Sequence, residues 1–191
     1  VIGKNSFSQN YTRIASNIFG ITMLCLSVLV TVETLVRKLF SISLGGVDEL
    51  AGYSITVGAP LAFAVALLER SHIRINIVYI YLGARVRAWL DAMSILSLGL
   101  LAVFLFAFTV KTVLETRVYQ SIAQTPWATP LIYPQAVWLV AMMVFLIPAL
   151  WLSVKALTLL ARGKGAELSA EFGPGTVEEE LKAEIDDLRR R

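Results

Sequence analysis

Along its first 160 residues the chain alternates long apolar runs with short polar breaks. A helix that crosses a bilayer needs about 20 predominantly apolar residues. Four stretches satisfy that requirement, at Ile14–Val36, Glu49–Leu68, Ala88–Val113 and Ala136–Leu160, and no fifth one does. After Leu160 the pattern changes. Arg162 to Gly175 is polar and contains glycine, so it reads as a linker. Thr176 and Glu179 have the spacing of a capping box and precede a narrow apolar stripe of Leu181, Ile185 and Leu188. Acids come early in this stretch, and Arg189, Arg190 and Arg191 come late, as a helix dipole favours. The expected layout is an N-terminal segment 1–13, a four-helix transmembrane domain 14–160, and a linker with a short amphipathic tail helix over 161–191.

Composition supports this all-α membrane reading. The 191 residues are 57% hydrophobic and 16% charged, with a mean hydropathy of +0.70. A soluble domain of that length would expose far more polar surface. The first apolar run is longer than the roughly 7–15 residues of a signal-peptide core. Arg37 and Lys38 follow it instead of a small-residue cleavage signature, so it is expected to be a retained helix.

Basic residues set the orientation, because short cytoplasmic loops are enriched in Lys and Arg. With the N-terminus inside, the cytoplasm receives Lys4, Arg13, Arg70, Arg74, Arg85, Arg87, Lys155, Arg162 and Lys164. The outer side receives only Arg37, Lys38, Lys111 and Arg117. Both termini are therefore expected in the cytoplasm. The net charge of +3 is spread beside apolar runs and not interleaved with aromatics, which argues against nucleic acid as a partner. Between spans two and three, Arg70, Arg74 and Arg85 can reach lipid phosphates while Ile73, Ile75, Ile77 and Val78 supply apolar contact. Asn76 as a cap and Gly83 as a stop predict a short interfacial helix there. The outer loop Glu115–Pro134 combines Pro126, Pro130 and Pro134 with Tyr119, Trp127 and Tyr133, a mixture suited to an ordered loop at interface level.

Candidate chemistry is sparse. The single cysteine, Cys25, excludes an intrachain disulfide or a cysteine-based metal site. One histidine, His72, cannot supply paired axial haem ligands, and no nucleophile motif accompanies it. An enzyme, a cofactor and a resident metal are therefore not expected. Ionisable groups lie near span ends and the middle of the bundle is uncharged. Glu33 sits one turn before Arg37, and Lys111 one turn before Glu115. Asp48 and Glu49 open span two and Asp91 opens span three, where carboxylates complement free backbone N–H groups. Pro60 and Pro148 can kink spans two and four, freeing the carbonyls of Thr56 and Val144. Gly58, Ala62 and Ala66 recur every four residues and predict close helix packing, more readily inside the chain than outside it. Span three, with Leu98, Leu100, Leu101, Phe104, Leu105, Phe106 and Phe108, is bulky all round.

The order of these features resembles the small permease subunit of tripartite ATP-independent periplasmic (TRAP) transporters, the DctQ-like family. Arg37-Lys38-Leu39-Phe40 looks like the family's R-x-x-F element after span one, and Asp48-Glu49-Leu50-Ala51 like its acidic start to span two. His72-Ile73-Arg74-Ile75-Asn76 is similar to a histidine-centred H-I-R-V-D segment, with Asn76 in place of the acid, so a role needing negative charge there does not carry over. Gln124-Thr125-Pro126 is similar to the outer-loop pattern, and Pro134 precedes span four as in the family. The resemblance covers Ile14 to Leu160 and fails in the tail.

It implies a bacterial inner-membrane protein that pairs with a large membrane subunit moving substrate by an elevator-like motion driven by sodium. A periplasmic substrate-binding protein delivers the substrate, usually an organic acid. Arg37, Asp48, Glu49, His72, Arg74, Arg85, Pro126 and Pro134 are the residues expected to serve as interface or anchoring groups toward these partners and membrane phospholipids. Two other readings stay open. One is a self-sufficient homo-oligomeric transporter or channel with Glu33 lining a pathway. The other is a structural tetraspan assembled through the Gly58–Ala66 stripe.

Overall fold

Each apolar run forms a helix, and each helix outlasts its run. The computed structural model describes residues 6–69, 79 and 81–173, with side chains from residue 10 onward. His72, Arg74, Asn76, most of the expected interfacial helix and the expected tail helix lie outside the described residues. The helices are α1 (Ser6–Phe40), α2 (Val47–Glu69), α3 (Ala84–Tyr119), α4 (Ile132–Ala161) and α5 (Gly165–Phe172). The first four are long and apolar enough to span a bilayer. Their ends run past the apolar windows because flanking residues such as Arg13, Arg37, Lys38, Arg85 and Arg87 are not helix breakers. Spans are limited by hydrocarbon thickness, helices by where the chain is forced to turn.

Those turns are local. α1 stops where Ser41 enters the left-handed region at φ 54° and its amide still reaches the Arg37 carbonyl at 3.1 Å. α4 stops at Gly163, whose φ is 69°. There the Lys164 amide bonds the Leu159 carbonyl and the Gly163 amide the Leu160 carbonyl, both at 3.0 Å. This is the Schellman arrangement, and it satisfies carbonyls that the helix end would otherwise orphan.

The described chain forms two compact units, residues 1–72 with 98–152 and residues 73–97 with 153–191. In the first, alanines let helices approach closely. Ala64, Leu67, Ala102, Met142, Phe145 and Ala149 form one buried cluster, and Ala15, Leu61 and Ala141 a second. Phe63 packs against Phe145 with ring centroids 5.8 Å apart. Gly58 faces α1: a Cβ there would lie 2.5 Å from the Met23 methyl and 3.2 Å from the Phe19 ring. Ala62 and Ala66 line a shallow apolar groove of about 220 Å³ with Ser16, Phe19 and Val65.

A polar contact crosses this core. Pro148 lies inside α4 and has no N–H, so the Val144 carbonyl four residues earlier loses its helical donor. The Tyr11 hydroxyl of α1 donates to that carbonyl. The proline thus leaves an acceptor in an apolar setting, and a side chain 133 residues away in sequence fills it.

The second unit corrects two expectations. The stretch read as a linker contains α5, whose Leu168 and Phe172 are buried. Asp91 does not open its helix. It lies two turns inside α3, is 2% exposed and accepts a bond of 2.7 Å from the Tyr79 hydroxyl. The helix starts earlier than the apolar window because Arg85 and Arg87 continue it beyond the hydrocarbon-length segment.

Candidate functional site

Two buried carboxylates in the first unit each gather several polar partners. Glu33 lies two turns before the end of α1 and is 4% exposed. Its Oε1 accepts from Arg37 Nη2 at 2.6 Å, Arg37 Nε at 3.0 Å and Ser43 Oγ at 2.8 Å. Its Oε2 accepts the Leu44 amide at 2.8 Å. Ser43 Oγ in turn accepts the Gly45 amide at 3.2 Å. The i,i+4 spacing makes the arginine contact a helical default, whereas the Ser43 and Leu44 bonds fold the loop over residues 41–46 back onto its own helix.

Glu49 does the equivalent work for the loop between α3 and α4. It lies in the first turn of α2 and is 6% exposed. Its Oε1 accepts from the Tyr53 hydroxyl at 2.7 Å and its Oε2 from the Thr125 hydroxyl. A buried carboxylate is costly unless its lone pairs are filled. Here hydroxyls and one helical turn fill them, so the carboxylate acts as a pin.

The α3–α4 loop has its own frame. Ile122 and Pro130 pair as an isolated antiparallel bridge, flanked by bonds from the Ala123 amide to the Thr129 carbonyl and from the Leu131 amide to the Ser121 carbonyl. The tip turns through Ala128, with φ 46° and its amide on the Thr125 carbonyl at 2.9 Å. Trp127 then lies against the other loop. A Cβ on Gly46 would sit 2.1 Å from Trp127 Cε2, so only glycine lets the indole approach the backbone this closely. Pro126 touches the neighbouring position, 3.7 Å from a Cβ built on Gly45, whose own φ is 73°.

Three contacts therefore join the two loops into one surface: Glu49 with Thr125, Trp127 with Gly46, and Pro126 with Gly45. Around it Phe40, Ile42, Ile122, Trp127 and Tyr133 remain exposed. A rigid surface with exposed aromatics and aliphatics suits protein contact more than chemistry.

Of the residues expected to serve as interface or anchor groups, this surface unites Arg37 (through Glu33), Glu49 and Pro126. Asp48 is exposed in the same first turn of α2, and Pro134 stands in the first turn of α4. Arg85 is exposed in the first turn of α3, in the other unit. Sequence reading did not find Thr125 as a partner of Glu49, nor the role of Gly46. The Gly45-Gly46 pair was the available signal. Among the described residues no group of three or more His, Cys, Asp or Glu side chains is placed to hold a metal ion.

Residues 26–160 match the family model described as "Tripartite ATP-independent periplasmic transporters, DctQ component". No curated protein and no solved structure matches the chain.

Proposed function

The chain belongs to the DctQ family of TRAP transporter components, and on that premise we propose that it is the stationary small subunit of a sodium-coupled, binding-protein-dependent organic-acid uptake system. As a DctQ component it is a multi-pass protein of the bacterial inner membrane, a transporter subunit and not an enzyme, and it works with other TRAP components. In this reading the large membrane subunit moves substrate by an elevator-like motion, and the present chain enlarges and steadies its scaffold. Both termini face the cytoplasm, as the distribution of Lys and Arg favours. The pinned surface of residues 41–46 and 120–131 then faces the periplasm, where it is available to the substrate-binding protein. His72, Arg74 and Arg85 anchor the cytoplasmic side through lipid headgroups or the large subunit.

The observation that carries this reading is the use made of Glu33 and Glu49. A transport pathway needs polar groups that exchange partners. Both carboxylates are instead committed to loop amides, hydroxyls and one arginine. Such groups hold a shape. The same commitment weighs against the reading in which Glu33 lines a solute path.

The test is purification of a tagged copy from its native membrane in mild detergent, with mass spectrometry of what accompanies it. Near-stoichiometric recovery of a much larger polytopic membrane protein is expected. Recovery of a homo-oligomer alone overturns the scaffold reading.

A further inference from the structure

The family match ends at residue 160, yet the chain continues into a packed helix. α5 is only eight residues long and would not persist alone in water. What holds it is a set of contacts within the second unit, distributed along its whole length. At its start, a Cβ on Gly165 would lie 3.1 Å from the Ala88 methyl, so the first turn of α5 rests directly on α3. In the middle Leu168 is fully buried. Near its end Glu171, whose side chain is largely buried, pairs with Lys155 of α4, and Phe172 is 4% exposed.

The exit of α5 meets a residue that precedes α3. Gly173 donates its amide to the Ser169 carbonyl at 2.8 Å. A Cβ on Gly173 would lie 3.0 Å from the Tyr79 hydroxyl, and 2.3 Å from that same carbonyl oxygen. Tyr79 is the point from which the chain turns into α3. Its hydroxyl donates to buried Asp91 at 2.7 Å, Arg87 lies 5.3 Å from its ring centroid, and its carbonyl accepts the Leu82 amide at 3.2 Å. Asp91 therefore has a structural use unlike that of a helix-opening carboxylate. It fixes Tyr79, and α5 closes over the pair.

We propose that α5 is a built-in strap that locks the end of the second inter-span loop to the foot of the third span, through Tyr79, Asp91 and the Ser169–Gly173 turn. α5 and the start of the chain's turn into α3 at Tyr79 thereby behave as one mechanical piece. A partner acting on the chain beyond Gly173 acts also on Tyr79. This stands independently of the transporter reading, because it concerns only contacts inside the second unit.

The strap is tested by hydrogen exchange on the full-length protein in nanodiscs, read at the Leu82 and Arg87 amides. Both bond to carbonyls in the turn that Tyr79 begins, Leu82 to Tyr79 at 3.2 Å and Arg87 to Gly83 at 3.1 Å. In the double variant Leu168→Ala/Phe172→Ala, both amides are expected to exchange about tenfold faster, while the Leu44 amide in the other unit is unchanged. Gly173→Ala, which leaves the helix interior intact, is expected to act in the same direction and covers the case in which the double variant does not fold. Lys164→Ala, which removes only an exposed pair with Glu167, is expected to have no effect. Unchanged exchange at Leu82 and Arg87 in Gly173→Ala and the double variant overturns the proposal. So does an equal acceleration at Leu44.

Discussion

The bond from Tyr11 to the Val144 carbonyl makes a quantitative claim about why a proline is tolerated in α4. Pro148 removes the donor that Val144 would have used within its own helix. Tyr11→Phe keeps the ring and its packing and deletes only the hydroxyl. The carbonyl is then left without the donor that α1 supplies, in a setting where water does not easily replace it. An unsatisfied buried group costs about 1–3 kcal/mol in soluble proteins. Interhelical bonds in membranes average about 0.6 kcal/mol and reach about 1.7 kcal/mol. Tyr11 is only partly buried, so a loss of about 1 kcal/mol is expected in the parent protein. The same substitution in a Pro148→Ala background should cost nearly nothing, because an alanine at that position offers its own N–H to Val144. The assay is a double-mutant cycle by reversible unfolding in mixed micelles, with a coupling energy of about 1 kcal/mol expected between positions 11 and 148. Equal costs of Tyr11→Phe in both backgrounds would refute the reasoning, since the hydroxyl would then be doing something other than replacing a lost helical donor.

Three further outcomes follow from the same geometry. Glu49→Gln turns one acceptor oxygen into a donor, so one of the Tyr53 and Thr125 hydroxyls must reverse its bond and both lose the charge-assisted acceptor; the thermal unfolding temperature should fall and protease cutting within residues 120–131 should rise. Gly46→Ala forces the indole of Trp127 off the backbone at a cost of about 1–3 kcal/mol. It should sharply increase acrylamide quenching in a protein whose other three tryptophans, Trp89, Trp138 and Trp151, are replaced by Phe. The Tyr79 hydroxyl is held above the ordinary tyrosine range, first by burial and then by its bond to Asp91. Its stabilising effect is therefore complete below the unfolded-state value of about 10 and is lost as pH rises through the raised folded-state value. Thermal unfolding followed from about pH 8 to 11 should show an alkaline decline that is shallower in Tyr79→Phe than in the parent.

The four spans were legible because hydrocarbon thickness imposes a length that few other structures share. Their ends were not, because helix formation does not stop where hydrophobicity does. Asp91 shows the consequence: placed at the first turn by the apolar window, it lies well inside α3 and serves Tyr79. α5 escaped notice for a different reason. Leu168 and Phe172 are a single i,i+4 pair between glycines, too short a pattern to stand out from a polar linker, and their burial comes from tertiary contact. The acidic start of α2 and the Glu33–Arg37 pair were readable from helical spacing alone. Their further partners were not, since Thr125 is 76 residues from Glu49 and Ser43 meets Glu33 only after the chain reverses. Local spacing names the carboxylate. The fold names what it holds.

Buried carboxylates in membrane proteins are commonly read as transport groups, and the described part of this chain has three of them. Glu33 holds the loop after α1, Glu49 the loop before α4, and Asp91 the residue that leads into α3. Glu49 lies in the first turn of its helix and Glu33 and Asp91 about two turns from an end of theirs, and each is engaged by hydroxyls, an amide or an arginine. A group that must bind and release an ion or substrate during a cycle cannot also be the pin for a loop without that loop moving each time. The economical use of such pins is to make surfaces that do not move. In the proposed scaffold reading, a DctQ chain of this construction offers its partners pinned loops, and its three described buried carboxylates are already committed to holding them.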